Sequence, residues 1–328
     1  ILYDNGQGVA QDYAQARAWY EKAAAQGYAA AQFNLGILYY EGKGVTQDYG
    51  QARAWYEKAA VQGDADAQYN LGALYAEGQV VAQDYARSAA WWEKAAAQGH
   101  TQAQYNLGVL YAEGRDVVQD YAQAFLWFEK AAALGNAEAQ YNLGVLYYSN
   151  QGVAQDYDKA REWWEKAAAQ GFVPAMEALG DHYHDEENSD PGQARDWYQK
   201  AAAGGELHAA LRLGDHYRDS DPAKARTYYE AATALGEAEA HYKLAELLRQ
   251  SEPKTAREHY RKAALTNYDS TKSDAKAATA LGDIYRHGEN VPQNLTEAYS
   301  WYSMAGSIPA NMALAAMFEN GEGGAADR

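Results

Sequence analysis

Apolar positions along this chain recur at helical spacing in two alternating stripes. In residues 30–63, Ala31, Leu35, Leu38 and Tyr39 fall at i, i+4, i+7 and i+8, one face of an amphipathic helix, here called helix A. Gly42-Lys43-Gly44-Val45 then breaks the pattern, because two glycines so close disfavour helix and favour a turn. A second stripe, Ala52, Trp55, Tyr56, Ala59 and Ala60, predicts helix B. Asp48 stands where helix B needs an N-cap, Gln51 completes a capping-box pattern, and Gly63 is placed to end the helix as a left-handed cap. The predicted unit is a helical hairpin.

That unit repeats. Leu-Gly returns at Leu35-Gly36, Leu71-Gly72, Leu107-Gly108 and Leu143-Gly144, a period of 36 residues, and continues with drift at Leu179-Gly180, Leu213-Gly214, Leu244-Ala245, Leu281-Gly282 and Leu314-Ala315. A period in this range marks an all-α solenoid, whose hairpins bury their apolar faces against their neighbours. A glycine inside a helix costs about 1 kcal/mol relative to alanine, so its regular return implies that close packing offsets the loss. Gly36 and Ala52 are the expected points of close approach, with Trp55 filling the space alongside. The Asp-x-x-Gln cap recurs at Asp12/Gln15 and Asp120/Gln123, whereas Arg87 and Lys159 break it after Asp84 and Asp156.

Between Asp185 and Pro253 the connecting loops shorten. Asp190-Pro191 and Asp221-Pro222 put a capping acid before a proline in the first helical turn, where the missing donor is harmless, and Glu252-Pro253 holds the same point. The longer loop returns at 287–292. The chain therefore reads as one array with a regular half, 1–171, a divergent half, 172–319, and a frayed tail, 320–328. Residues 1–9 align with 37–45 and residues 310–323 reproduce 31–44, so both ends read as cuts within a longer repeat protein.

Composition narrows the partner. Acidic residues number 45 against 28 basic, a net charge of −17 that repels phosphate backbones, and no Lys/Arg block gathers a local positive field, so nucleic acid is excluded as a partner class. Charges and glutamines disperse the 48% of hydrophobic residues, leaving no run long enough for a membrane span. The absence of cysteine removes disulfides, thiolate ligands and thiol nucleophiles and fits either a reducing cytosol or a disulfide-free secreted fold.

The run Ala-x-x-x-Leu-Gly-x-x-Tyr-x-x-Gly-x-Gly-Val-x-x-Asp-Tyr-x-x-Ala-x-x-Trp-Tyr-x-Lys-Ala-Ala-x-Gln-Gly, from Ala31 to Gly63, closely resembles the Sel1-like repeat, a relative of the tetratricopeptide repeat. It holds over four complete repeats and weakens toward the C-terminus. The 31-residue step from Gly214 to Ala245, with Tyr228-Tyr229 in place of Trp-Tyr, looks more like a plain tetratricopeptide hairpin. The resemblance implies a right-handed superhelix of antiparallel helix pairs with helix A on the concave side. It also implies a protein that holds other proteins, often in bacterial envelope, signalling or host-contact roles, which favours a periplasmic or secreted location; a monomer is expected.

Once the repeat signature is set aside, three rows remain. Phe33, Tyr69, Tyr105 and Tyr141 stand three residues before each helix-A glycine, and the same slot then holds Glu177, Leu211, Tyr242 and Thr279. By resemblance this position faces the groove, where aromatic rings give contact area at low entropic cost. Packing between adjacent A helices is the alternative. Beside them Asn34, Asn70, Asn106 and Asn142 carry donors and an acceptor suited to an extended peptide backbone, or to a bond within the scaffold. Glu41, Glu77 and Glu113 extend the Asn face into an acidic strip that would steer a basic segment, or serve only as a solvated surface.

Enzyme and cofactor signals are thin. His182 and His184, with Asp185, Glu186 and Glu187 following, stand at i, i+2 on different sides of a helix and make a poor metal site. His100 and His259 lack a nucleophile or paired-acid setting, and no P-loop, dinucleotide fingerprint or zinc-helix motif is present. The expectation is a cofactor-free adaptor binding a protein or peptide along the aromatic and Asn rows. Two alternatives use the same surface: a carbohydrate-binding module, and an immunity protein that blocks a secreted toxin.

Overall fold

The structure, a computed structural model, describes residues 10–79, 82–185, 190–234, 238–266 and 272–322, with Tyr3, Gly8 and Gly236. Every regular element among them longer than a turn is an α-helix. The B helices are α1 (Tyr13–Ala24), α3 (Tyr49–Val61), α5 (Tyr85–Ala97), α7 (Tyr121–Ala133), α9 (Tyr157–Ala169), α11 (Pro191–Ala203), α13 (Pro222–Ala234), α15 (Pro253–Thr266) and α17 (Leu295–Ala305). The A helices are α2 (Ala29–Glu41), α4 (Ala65–Glu77), α6 (Thr101–Glu113), α8 (Ala137–Ser149), α10 (Val173–His184), α12 (Leu207–Tyr217), α14 (Ala238–Leu248), α16 (Lys272–His287) and α18 (Ile308–Glu319). Within each unit, A and B helices pack on one another in chain order, and the fold is an all-α solenoid. The chain divides into two compact units, Ile1–Ala175 and Met176–Arg328.

Local chemistry sets the helix limits. The Asp48 carboxylate accepts from the Gln51 amide at 3.0 Å, and Asp12, Asp84, Asp120 and Asp156 cap α1, α5, α7 and α9 in the same way. Arg87 and Lys159, which break the Gln pattern, leave the caps intact and form ion pairs with Asp84 and Asp156, each at 3.2 Å. Asp190 caps α11 directly ahead of Pro191. Gly63 takes the expected left-handed conformation at φ +95°. In the A–B loop, Gly44 has φ +69°, and a Cβ there would lie 2.7 Å from the Tyr13 carbonyl carbon, so both backbone conformation and close approach require glycine. The tail residues 323–328 lie outside the described residues.

Within a hairpin, the helix-A glycine receives an aromatic ring from helix B. A Cβ on Gly72 would lie 2.5 Å from Trp92 Cδ1, and Gly36, Gly108 and Gly144 meet Tyr56, Phe128 and Trp164 in the same manner. This corrects the sequence expectation for Trp55. The next residue, Tyr56, fills the space against Gly36, while Trp55 leans on the cluster formed by Ala16, Tyr20, Leu35 and Leu38. Its outer face carries the Lys58 ammonium at 3.8 Å, and Lys94 over Trp91, Lys130 over Trp127 and Lys166 over Trp163 repeat that cation–π contact.

Candidate functional site

Helix A presents the two predicted rows in the first unit as half-buried side chains: Phe33, Tyr69, Tyr105 and Tyr141, and Asn34, Asn70, Asn106 and Asn142. Each ring has an inner neighbour. Phe33 packs 5.9 Å from Tyr56 and Tyr105 packs 5.9 Å from Phe128, centroid to centroid, while Tyr69 stacks on His100 at 4.6 Å and Tyr141 meets Phe172 at 5.5 Å. The Asn row joins repeats. The Asn106 amide faces the Tyr69 hydroxyl and the Asn142 amide faces the Tyr105 hydroxyl, so a ring on one A helix lies against an amide on the next. Burial pushes both phenols up, and the facing amide partly opposes the shift. Asn70 faces Tyr56 likewise, whereas Asn34 donates to the Ala30 carbonyl of its own helix at 2.7 Å. Each ring therefore carries an internal contact and a solvent-facing part.

Glu41, Glu77 and Glu113 are exposed at the C-terminal ends of α2, α4 and α6. Loop cations meet two of them: Lys43 lies 2.7 Å from Glu41, and Arg115 lies 2.6 Å from Glu113. Glu77 accepts from the Tyr40 hydroxyl at 3.3 Å, and burial followed by this carboxylate raises the Tyr40 phenol. Negative potential along the strip is thus concentrated at Glu77.

In the second unit the same face changes character. The buried rings Tyr198, Tyr229, Tyr260 and Tyr302 donate their hydroxyls to Asp181 at 2.7 Å, Asp215 at 2.8 Å, Glu246, and Asp283 at 2.6 Å. Each acid directly follows the glycine-slot residue, where the first unit has Ile37, Ala73, Val109 and Val145. Burial and the facing carboxylate push these phenols far above the usual tyrosine range. The Asn slot holds Arg212 and Lys243 on α12 and α14, and they reach back to Asp181 at 3.7 Å and Asp215 at 2.5 Å. Gly-Asp at 180–181, 214–215 and 282–283, each answered by a tyrosine on the next helix, was the available sequence signal for these pairs.

His182 is buried against the Tyr183 ring and His184 is exposed, as their spacing requires, and Glu186 and Glu187 lie outside the described residues. His100 Nδ1 caps the Ala103 amide at 3.2 Å. His241 and His259 meet Nδ1 to Nδ1 at 2.9 Å, a contact that no spacing rule announces. Desolvation, then the His259 and Lys262 charges, push His241 down to about 4. Among the described residues Glu177, Glu206 and His208 bring donor atoms within 4.8 Å of one another, the two carboxylates partly buried and His208 exposed. Burial raises the Glu177 carboxyl and Glu206 adds to the shift, while His208 and Arg212 oppose it with positive charge.

The Sel1 repeat profile matches residues 1–28, 29–64, 65–100, 101–136, 137–172, 173–206, 275–307 and 308–328, and a tetratricopeptide repeat profile matches 211–270. The chain is similar to the crystal structure of a protective antigen present in uropathogenic Escherichia coli strains that displays an SLR fold. That match has 32% identity and a TM-score of 0.86 and covers 97% of this chain and 70% of that one. It is also similar to a Sel1 repeat protein from Oxalobacter formigenes, with 32% identity and a TM-score of 0.61, over 70% of this chain and 93% of that one. No curated protein matches the sequence.

Proposed function

The chain belongs to the Sel1-repeat family, and from that premise we propose that it is a non-enzymatic adaptor that captures a protein or peptide on the helix-A face of its first unit. Sel1 and tetratricopeptide repeats form a scaffold of the kind used for protein–protein interaction. One observation carries the finer reading. Tyr69 and Tyr105 stay half-exposed while each ring packs on an inner aromatic ring, Tyr69 on His100 at 4.6 Å and Tyr105 on Phe128 at 5.9 Å, so the rings are oriented before a partner arrives. Pre-orientation lowers the entropy lost on binding, which runs to about 0.5–1.5 kcal/mol for each side chain immobilised. Phe33 and Tyr141 extend the row, the Asn amides have capacity left for a peptide backbone, and Glu77 adds attraction for a basic segment. An envelope or secreted location accords with the relative described as a protective antigen.

The test is the double variant Tyr69→Ala/Tyr105→Ala. Its affinity for a partner identified by affinity capture with the wild-type chain should fall by at least roughly tenfold while helicity by circular dichroism is retained. Unchanged affinity in a folded variant removes the rows from the site, and glycan-array binding without any protein partner would favour a carbohydrate-binding module instead.

A further inference from the structure

One replacement in the aromatic row changes the chemistry of the helix-A face at the start of the second unit. In the first unit, the slot side chain of one A helix faces the opening residues of the next. Tyr69 stacks on His100, directly before α6, at 4.6 Å, and Tyr141 meets Phe172, directly before α10, at 5.5 Å. Tyr105 lies in the field of Glu138, the second residue of α8. On α10 the slot holds Glu177, while Glu206 stands directly before α12 and His208 is its second residue. The packing that pairs rings in the first unit here gathers two carboxylates and an imidazole, with donor atoms within 4.8 Å of one another.

Two like charges in the place of a ring pair call for a positive charge between them. Before other A helices, Asp64, His100 and Asn136 spend their side chains on the helix end, each accepting the amide three residues on. Glu206 makes no such bond to α12, so its carboxylate is turned to another use. The charged and titratable groups acting on Glu177 are Glu206, Asp181, His208 and Arg212. Counting the imidazole as neutral, the form that binds metal, Glu177, Glu206 and Asp181 against Arg212 leave the site two charges negative. Asp181 keeps its charge while accepting the Tyr198 hydroxyl, and Arg212 lies 3.7 Å from it. The N-terminus of α12 adds about half a positive unit, which reduces the excess without reversing it.

We propose that Glu177, Glu206 and His208 form a zinc site that ties α10 to α12. The imidazole nitrogen favours zinc over magnesium and calcium, which take oxygen shells. Three protein ligands leave the fourth tetrahedral position to water. Ligand atoms about 2.0–2.2 Å from zinc stand roughly 3.3 Å apart, so the widest pair here closes by about 1.5 Å. Rotation of the exposed His208 and the half-buried Glu177 and Glu206 side chains supplies that movement without a shift of either helix. The metal then does in the second unit what ring pairs do in the first, joining one A helix to the next. The site does not depend on peptide capture by the first unit.

The probe is Zn²⁺, titrated into the full chain after metal removal by chelation and followed by isothermal titration calorimetry near neutral pH. A single equivalent should bind, and the thermal-unfolding midpoint should rise, because a ligand held only by the folded state stabilises it. Glu177→Gln and His208→Ala, with helicity retained by circular dichroism, should each weaken binding at least roughly tenfold. Excess Mg²⁺ should not displace the zinc. His184→Ala/His216→Ala removes two exposed histidines of the same unit that lie outside the cluster, and affinity should be unchanged. The proposal is overturned by absence of binding, by full affinity in folded Glu177→Gln or His208→Ala, by displacement with Mg²⁺, or by loss of binding in the His184/His216 variant.

Discussion

Leu134→Gln should stabilise the protein, because it restores the missing member of a hydrogen-bond ladder. Helix A carries a buried glutamine three residues before each Leu of the Leu-Gly pair. Gln68 donates to the Ala60 carbonyl at 3.0 Å, and Gln32, Gln104 and Gln140 donate to Ala24, Ala96 and Ala132 at 3.1–3.3 Å. The other end of the amide is served from the following B helix. Gln62 donates to Gln32 Oε1 at 2.7 Å, Gln98 to Gln68 at 2.9 Å, and Gln170 to Gln140 at 2.8 Å, always 30 residues apart. The donor for Gln104 would come from position 134, which is leucine, and Gln104 Oε1 is buried without a hydrogen-bond partner. A buried acceptor left unpaired costs about 1–3 kcal/mol, and a made hydrogen bond contributes a net ~0.5–1.5 kcal/mol. Leu134 is 57% exposed, so replacing it forfeits little apolar burial.

A gain of about 1 kcal/mol is therefore expected, which slows local amide exchange roughly fivefold in α6, α7 and α8. Hydrogen exchange by mass spectrometry is the suitable assay, because a repeat array need not unfold in a single step. The mirror change Gln98→Leu should speed exchange around Gln68 by a similar factor. Unchanged or faster exchange in Leu134→Gln, with no effect of Gln98→Leu, would refute the ladder argument.

Three further outcomes follow from the geometry. Gly72→Ala gains about 1 kcal/mol of helix propensity but forces a methyl to 2.5 Å from Trp92, and overpacking of ~1–3 kcal/mol outweighs the gain, so the melting midpoint should fall in a thermal-shift assay. Tyr229→Phe keeps the buried ring and deletes its bond to Asp215; a bond to a charged acceptor is worth about 1.5–3 kcal/mol, and the denaturant midpoint should drop accordingly, with no drop arguing against the tyrosine–acid pairs. His241 is held at about 4 in the fold against an ordinary value of 6.5, so the unfolded chain binds more protons between these values. Stability should be lost as pH falls from 6.5 toward 4, and His241→Gln, the residue of the regular repeats at that slot, should flatten the profile; an equally steep profile in the variant contradicts the assignment.

Period and capping made the helices legible, since an N-cap Asp, a left-handed Gly and an apolar stripe are local signals. The choice between Trp55 and Tyr56 was not legible, because adjacent residues on a helix both border the same stripe and only the partner helix decides which one meets Gly36. The Gln ladder escaped for another reason. Its members stand 30 residues apart, a separation that means nothing until the hairpins are stacked. The Tyr and Asn rows were found as rows, but the facing of Asn106 to Tyr69 and of Asn142 to Tyr105 depends on how one A helix lies beside the next. His241 and His259 replace a Gln and a Trp of the regular pattern on two neighbouring helices, and nothing in either position alone predicts that their nitrogens meet.

The adaptor reading is tested most directly by site-specific photo-crosslinking in the producing cell. A photoreactive phenylalanine at Tyr69 or Tyr105 should give a discrete protein adduct, and the same group at Val61, 79% exposed on a B helix, should not. Adducts at all three positions alike, or at Val61 alone, would contradict capture on the helix-A face.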